Sequence, residues 1–372
     1  MNDAAVAIER RGHALKRFRS VLAILVLAVP ALSGCLGVGR TEWAFDAIQA
    51  DALAKRGLSG QGVVVGIVDT GIDASHPALE HAKIDAWQDF LNGRAEPYDD
   101  VGHGTHVAGI IAAKGDWKGW FYGADLNGVA PDVSLVVVKA CREKDCDTAA
   151  VVNGIDFATG RGVDVLVLSL GGEAALVNLG PDANGAVKRA TDRGVVVVVA
   201  AGNCAAAEDP CTDVESPSDE TTAIAVGAVD EDRKVAPFSA RGDDFENYGV
   251  DEPGGGLLPV GGVDDAQRKS PNKKPEVVAP GVKILSTYRD GKYAYATGTS
   301  QAAPFVGGIV ALMLEAKPEY QQGGAKSGAG GVLAIKTALT ETALKSDGQR
   351  EPHDPAYGYG LVQGLEALNR LP

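Results

Sequence analysis

Four unbroken valine-rich runs constrain this chain more than any other feature: GVVVGIVD ending at Asp69, VSLVVVKA ending at Ala140, VDVLVLSL ending at Leu170 and GVVVVVAA ending at Ala201. A strand with one wet face alternates apolar and polar residues, so an unbroken run marks a strand covered on both faces. Between the runs lie TAAVVNGIDFATGR and GPDANGAVKRATDR, each with helical spacing and a glycine just past its end, Gly162 and Gly194. Repeated strand–helix units joined by right-handed crossovers build a parallel sheet. The expected fold is therefore α/β, a three-layer, doubly wound, mostly parallel sheet flanked by helices. A hydrophobic fraction of 45% with 48 glycines but only 8 Phe and 4 Trp agrees with a core of small aliphatic side chains and many tight turns.

The N-terminus reads as an address. Arg10, Arg11, Lys16, Arg17 and Arg19 precede VLAILVLAVPAL at residues 21–32, an apolar run too short to span a bilayer and followed by small residues. That order is the order of an export signal. LSGC, ending at Cys35, resembles the lipobox of bacterial lipoproteins, in which the cysteine is lipidated and becomes the new N-terminus. The expected organisation is a signal at residues 1–34, a short tether at 35–42 and one folded domain at 43–372. The product would sit in the cell envelope, held to the lipid membrane through Cys35; the alternative is a soluble secreted protein. Beyond residue 34 the chain carries 30 basic against 47 acidic side chains, a balance that repels nucleic acid and offers no phosphate footprint.

Export also bears on the remaining cysteines. Cys141 and Cys146 bracket REKD, and Cys204 and Cys211 bracket AAAEDP. Four cysteines in an oxidising compartment make two bridges, and of three connectivities the local one, Cys141 with Cys146 and Cys204 with Cys211, is expected. Zinc competes poorly, because neither pair has metal-ligand spacing and no histidine lies close in sequence.

Ligands of a doubly wound sheet bind outside the carboxyl ends of its strands. Those ends carry DTGID from Asp69, SLGG from Ser169 and AAGN up to Asn203. His103 stands in GHGTHVAG, and Ser300 opens the apolar helix TSQAAPFVGGIVALML. An alcohol attacks a carbonyl only with an imidazole to take its proton, and the imidazole needs a carboxylate to fix its tautomer. Asp69, His103 and Ser300 supply one of each. The Asn203 amide and the Ser300 backbone N–H could donate to the oxyanion that forms.

These stretches, VVVGIVDTGID, GHGTHVAGIIAA, VVVAAGN and GTSQAAPFVGG, resemble the subtilisin family of serine proteases, the subtilases, in residue order as well as in wording. The resemblance implies an Asp69–His103–Ser300 triad and Asn203 as oxyanion donor. It further implies that Ser169, Leu170 and Gly171 pair with an extended polypeptide substrate, and that Ala200, Ala201 and Gly202 line the pocket for the residue before the cleaved bond. The enzyme is expected to work as a monomer and without a cofactor for its chemistry. Structural calcium occurs in the family; Asp99 and Asp100 are acidic neighbours of the histidine motif but form no complete ligand set, and no metal is assigned. Gln301 replaces the methionine usual after the serine, and Glu276 stands where aspartate is usual.

Two rivals come from other classes. GTSQA nearly matches a nucleophile elbow, so an α/β-hydrolase esterase would use Ser300 with Asp347 and His353. A catalytically silent subtilase fold would serve only as a binding module. His76, His81, His106 and His353 read as packing or surface residues in the protease reading, and residues 243–275, rich in Gly, Pro and charge, as a surface excursion.

Overall fold

A computed structural model describes residues 41–115, 127–170, 179–204, 214, 216–242 and 268–372, all within the unit Gly39–Pro372. Its centre is a seven-stranded sheet made of β1 (Val64–Asp69), β2 (Lys83–Asp89), β3 (Ser134–Lys139), β4 (Val165–Leu168), β5 (Val196–Ala200), β6 (Ile224–Val229) and β7 (Val277–Pro280). The order is β2-β3-β1-β4-β5-β6-β7 and every pairing is parallel. The four valine-rich runs are β1, β3, β4 and β5, and all but their first residues are buried throughout. The fold class expected from the sequence is the one observed.

Alternation along the strands sends side chains to two separate cores. Val65 and Ile67 join one cluster with α3 (His103–Ala112) and α6 (Thr299–Ala316), whereas Val68 joins another with α4 (Thr148–Gly160) and α5 (Gly180–Asp192). Helices on both faces explain why these strands contain no polar alternation. Gly162 and Gly194, just past α4 and α5, have φ of 79° and 92°, the left-handed closure that glycine takes without steric cost.

α6 runs through the first core and is buried from Thr299 to Leu314. Two glycines let it approach: a Cβ on Gly307 would lie 2.5 Å from a Val167 methyl of β4, and one on Gly308 the same distance from Val129. The other five described strands lie outside the four valine runs, and β6 and β7 complete the sheet. β2 is a half-buried edge strand, and β8 (Ile284–Tyr288) and β9 (Lys292–Ala296) form an antiparallel hairpin beside α3. Thr105 O accepts from Thr287 Oγ1 at 2.7 Å and His106 O from Ser286 Oγ at 2.8 Å, which clamps the hairpin to the first turns of α3.

The excursion expected at 243–275 falls outside the described residues up to 267. Its described end is not all surface, since Arg268 is 7% and Lys274 0% exposed. Lys274 belongs to a buried charge cluster with Glu276, next to β7, and Lys336 of α7 (Ala329–Glu341), exposed 0%, 0% and 1%. The Lys336 and Lys274 ammonium groups lie 2.6 and 3.0 Å from Glu276 Oε1, while Glu276 Oε2 accepts from Ala225 N–H at 2.7 Å. Among the described residues, no helix is long and apolar enough to cross a membrane.

Candidate active site

β1, β4 and β5 end at one edge of the sheet, and the side chains that follow them converge on a cavity of about 750 Å³. Asp69, His103, Ser169, Leu170, Asn203 and Ser300 all line it. Residues separated by more than 230 positions are thus brought together by parallel register: Val68 of β1 pairs with Leu168 of β4, and Leu168 with Val199 of β5.

His103 is the first residue of α3, and its Nδ1 lies 2.7 Å from Asp69 Oδ1. Asp69 is 1% exposed, and Oδ1 also accepts from Thr70 N–H at 2.7 Å. Burial works against the imidazolium, yet the adjacent Asp69 charge and hydrogen bond outweigh it, and the His103 pKa lies above the ordinary histidine value. The bond commits Nδ1 to donation and leaves Nε2 as the basic nitrogen.

The turn before α3 is built by Asp99. Its Oδ1 accepts from Thr70 Oγ1, Val101 N–H and Gly102 N–H at 2.9, 3.0 and 2.8 Å, and its Oδ2 accepts from Thr105 N–H and Oγ1 at 2.9 and 2.7 Å. Five protein donors occupy this carboxylate, and Asp100 pairs with Lys139 Nζ at 2.7 Å, so neither fits a calcium ligand set. Sequence reasoning saw only two acids beside a histidine. The hydroxyls of Thr70 and Thr105, at fixed offsets in both catalytic motifs, were the signal for a hydrogen-bonded scaffold.

Ser300 is the second residue of α6, 2% exposed, and its Oγ has no hydrogen-bond partner among the described residues. Its carbonyl accepts from Ser169 Oγ at 3.1 Å, which ties the start of α6 to the end of β4. Free N–H groups and the helix dipole at this end favour negative charge. Asn203 Oδ1 accepts from Thr299 N–H at 2.9 Å and from Thr299 Oγ1 at 3.1 Å. A backbone N–H can meet only the amide oxygen, so the network itself orients the amide and leaves Nδ2 as the donor on the cavity side. Gly298 makes room for this arrangement, because a Cβ there would lie 3.0 Å from Gln301 Oε1 and 3.5 Å from the Asn203 amide.

Several expected residues are placed differently. Gly171 lies outside the described residues, as do Cys35 and Cys211. Ala200 and Ala201 are buried and, like Gly202, are not among the residues that line the cavity; Gly202, with φ of 115°, donates its N–H to Thr299 Oγ1 at 3.2 Å. Cys141 and Cys146 form the expected disulfide, with S–S of 2.04 Å, and both line the cavity rim. Cys204 is also disulfide-bonded and lines the cavity. The esterase alternative is overturned by placement: neither Asp347 nor His353 lines the cavity of Ser300, and His353 Nε2 bonds Pro275 O at 3.0 Å while its ring meets Tyr359 edge-on. His106 is buried, with Nε2 3.1 Å from both Ile284 O and Ala294 O, and desolvation together with the neighbouring His103 lowers its pKa to about 4. It is a neutral tether between α3 and the hairpin.

A carboxylate, an imidazole and an unpartnered hydroxyl in this order, beside an orphaned amide donor, can carry out acyl transfer through a serine ester. The comparisons with known proteins agree. The family model described as "Subtilase family" matches residues 60–360. Subtilisin DY of Bacillus licheniformis is 37% identical over 276 residues, covering 73% of this chain and 83% of its own length. The major intracellular serine protease of Bacillus subtilis is 34% identical, covering 74% and 75%, and Subtilisin Savinase of Lederbergia lenta is 34% identical, covering 88% and 98%. This chain therefore belongs to the subtilase family of serine endopeptidases.

Proposed function

We propose that Ser300 is the nucleophile, His103 the general base and then acid, and Asp69 the group that orients and charges the imidazole. The observation that carries this reading is the 2.7 Å Asp69–His103 bond facing the same cavity as a buried serine hydroxyl with no partner. His103 Nε2 takes the Ser300 proton as Oγ attacks the peptide carbonyl, then delivers it to the leaving amine. Water repeats the sequence on the acyl-enzyme, and no cofactor enters either half. The oxyanion is held by Asn203 Nδ2 and Ser300 N–H.

Asn203→Ala tests that last role. It removes a donor that counts only once the oxyanion forms, so kcat should fall about 10^2- to 10^3-fold with KM little changed, a magnitude known from this same family. A KM effect with kcat intact, measured on a peptide anilide, would assign Asn203 to ground-state binding instead.

The substrate is an extended polypeptide whose acyl side adds to Ser169, Leu170 and Gly171 as a further strand, with Ala200, Ala201 and Gly202 shaping the pocket from behind. The domain from 43 to 372 does the chemistry as a monomer. Residues 1–34 direct export, and Cys35 carries the lipid that holds the enzyme to the envelope through the tether at 35–42. Stable anchoring needs more than one acyl chain, which a diacylated N-terminal cysteine supplies. Expressed in a bacterium with labelled palmitate, the wild type should carry label and partition with membranes, and Cys35→Ser should do neither. Equal release of both forms into the medium would leave the secreted alternative.

A further inference from the structure

We infer that Arg289 selects substrates with a carboxylate on the leaving-group side of the scissile bond. The inference rests on the triad assignment above. Arg289 follows β8 at the tip of the hairpin and lines the same cavity as His103 and Ser300. Among the described residues, its buried Nε has no hydrogen-bond partner and no carboxylate pairs with its guanidinium. Three acids near the hairpin are engaged elsewhere, Asp290 with Lys292 at 3.3 Å, Asp73 Oδ2 with Gly291 N–H at 3.0 Å and Asp100 with Lys139, while Glu143 and Asp145, which also line the cavity, belong to the Cys141–Cys146 loop and form no pair with Arg289. A guanidinium partly withdrawn from water with no partner is costly, and its planar fork matches a carboxylate better than any other group.

The position of Arg289 is held. Tyr288 donates its hydroxyl to Val101 O at 2.7 Å, and its ring lies against Gly102, where a Cβ would sit 2.4 Å from it. The hairpin tip is thereby pinned to the turn that presents His103. Ser169 and Leu170, which take the acyl side, line the cavity from the exit of β4 and not from the hairpin. His103 protonates the leaving amine, so the departing segment passes the hairpin wall, and the Arg289 charge meets its first residues.

Acyl transfer reads this side alone. An ester substrate forms the acyl-enzyme, which then partitions between water and an added amine; the amine nitrogen bonds to the acyl carbon, the Ser300 ester bond breaks, and Oγ regains a proton through His103. Aspartate amide and asparagine amide differ only in the side-chain carboxylate; glycylglycine and its amide differ only in a terminal one. In the wild type at low salt, aspartate amide should outcompete asparagine amide by about twofold to fivefold, the range of one partly exposed charge pair. The ratio should fall to about one in Arg289→Gln and persist in part in Arg289→Lys. If only the glycylglycine pair discriminates, the terminal carboxylate is the ligand. Equal rates for both pairs in the wild type, or a preference unchanged in Arg289→Gln, would overturn the inference. Failure of the ester to acylate the enzyme at all would instead remove the triad assignment beneath it.

Discussion

Replacing Ser300 with alanine should lower kcat for peptide hydrolysis by about 10^6, the magnitude found for the nucleophile within this same family. The expectation is clean because the removed oxygen makes no hydrogen bond among the described residues, so α6 and its packing lose nothing structural. His103→Ala should cost a similar factor, and the double variant little more, since hydroxyl and imidazole act as one unit. The residual rate, about 10^3 to 10^4 over water, belongs to the oxyanion donors and substrate binding. A serine-directed fluorophosphonate should label the wild type and fail on Ser300→Ala. A tenfold or smaller loss in Ser300→Ala would remove the mechanism, whereas a wild type that never labels with the probe would favour the silent binding module.

The second large effect lies in the buried cluster beside β7. Glu276→Gln deletes the anion that pairs with both buried ammonium groups, and breaking a buried ion pair by removing one partner costs about 3 to 5 kcal/mol. Lys274 Nζ still donates to Glu220 O and Ala223 O, and Lys336 Nζ to Thr221 O and Ala223 O, but these dipoles do not replace a full charge. The pH dependence follows from the lysines. Burial, partly offset by Glu276 and reinforced by Lys336 and Arg268, lowers the Lys274 pKa to about 7 from its ordinary 10.5. Between these values the unfolded chain binds more protons than the folded one, so this group's contribution makes stability rise with pH across the window. The Glu276→Gln deficit should accordingly be large at pH 7 and shrink towards pH 10, where a neutral Lys274 needs no counter-charge. Urea unfolding midpoints at the two pH values, measured in the Ser300→Ala background to prevent self-digestion, check this. Glu276→Asp keeps the charge and should lose less. A Glu276→Gln deficit independent of pH would mean that the cluster acts through packing alone.

The cluster also shows where sequence reading stops. Glu276 is identifiable by position only as a glutamate in place of aspartate, and Lys274 and Lys336 lie 62 residues apart with nothing local to link them. Similarly, Asp99 reads with Asp100 only as an acidic neighbour of the histidine motif, because the five donors that saturate it come from Thr70, the 101–102 turn and Thr105. Ala200 and Ala201 do not line the cavity because alternation at the exit of β5 turns them into two different apolar clusters, while Gly202 turns the chain to present Asn203.

What the amino-acid order determined by itself is local in its physics. Unbroken valine runs, helical spacing and terminal glycines dictate a two-sided parallel sheet, and glycine-flanked Asp69, His103 and Ser300 carry the chemistry of acyl transfer. Only the tertiary structure decided which of the cavity's neighbours share the work. The hairpin of β8 and β9 has no periodic signal strong enough to find, since its strands are short and half-wet, yet it fixes the turn before His103 and carries Arg289 to the cleft. A side chain's hydrogen-bonding state depends on groups brought close by sheet register over hundreds of residues. For that reason the unpartnered hydroxyl of Ser300, the committed oxygen of Asn203 and the uncompensated charge of Arg289 could be seen only once the chain was folded.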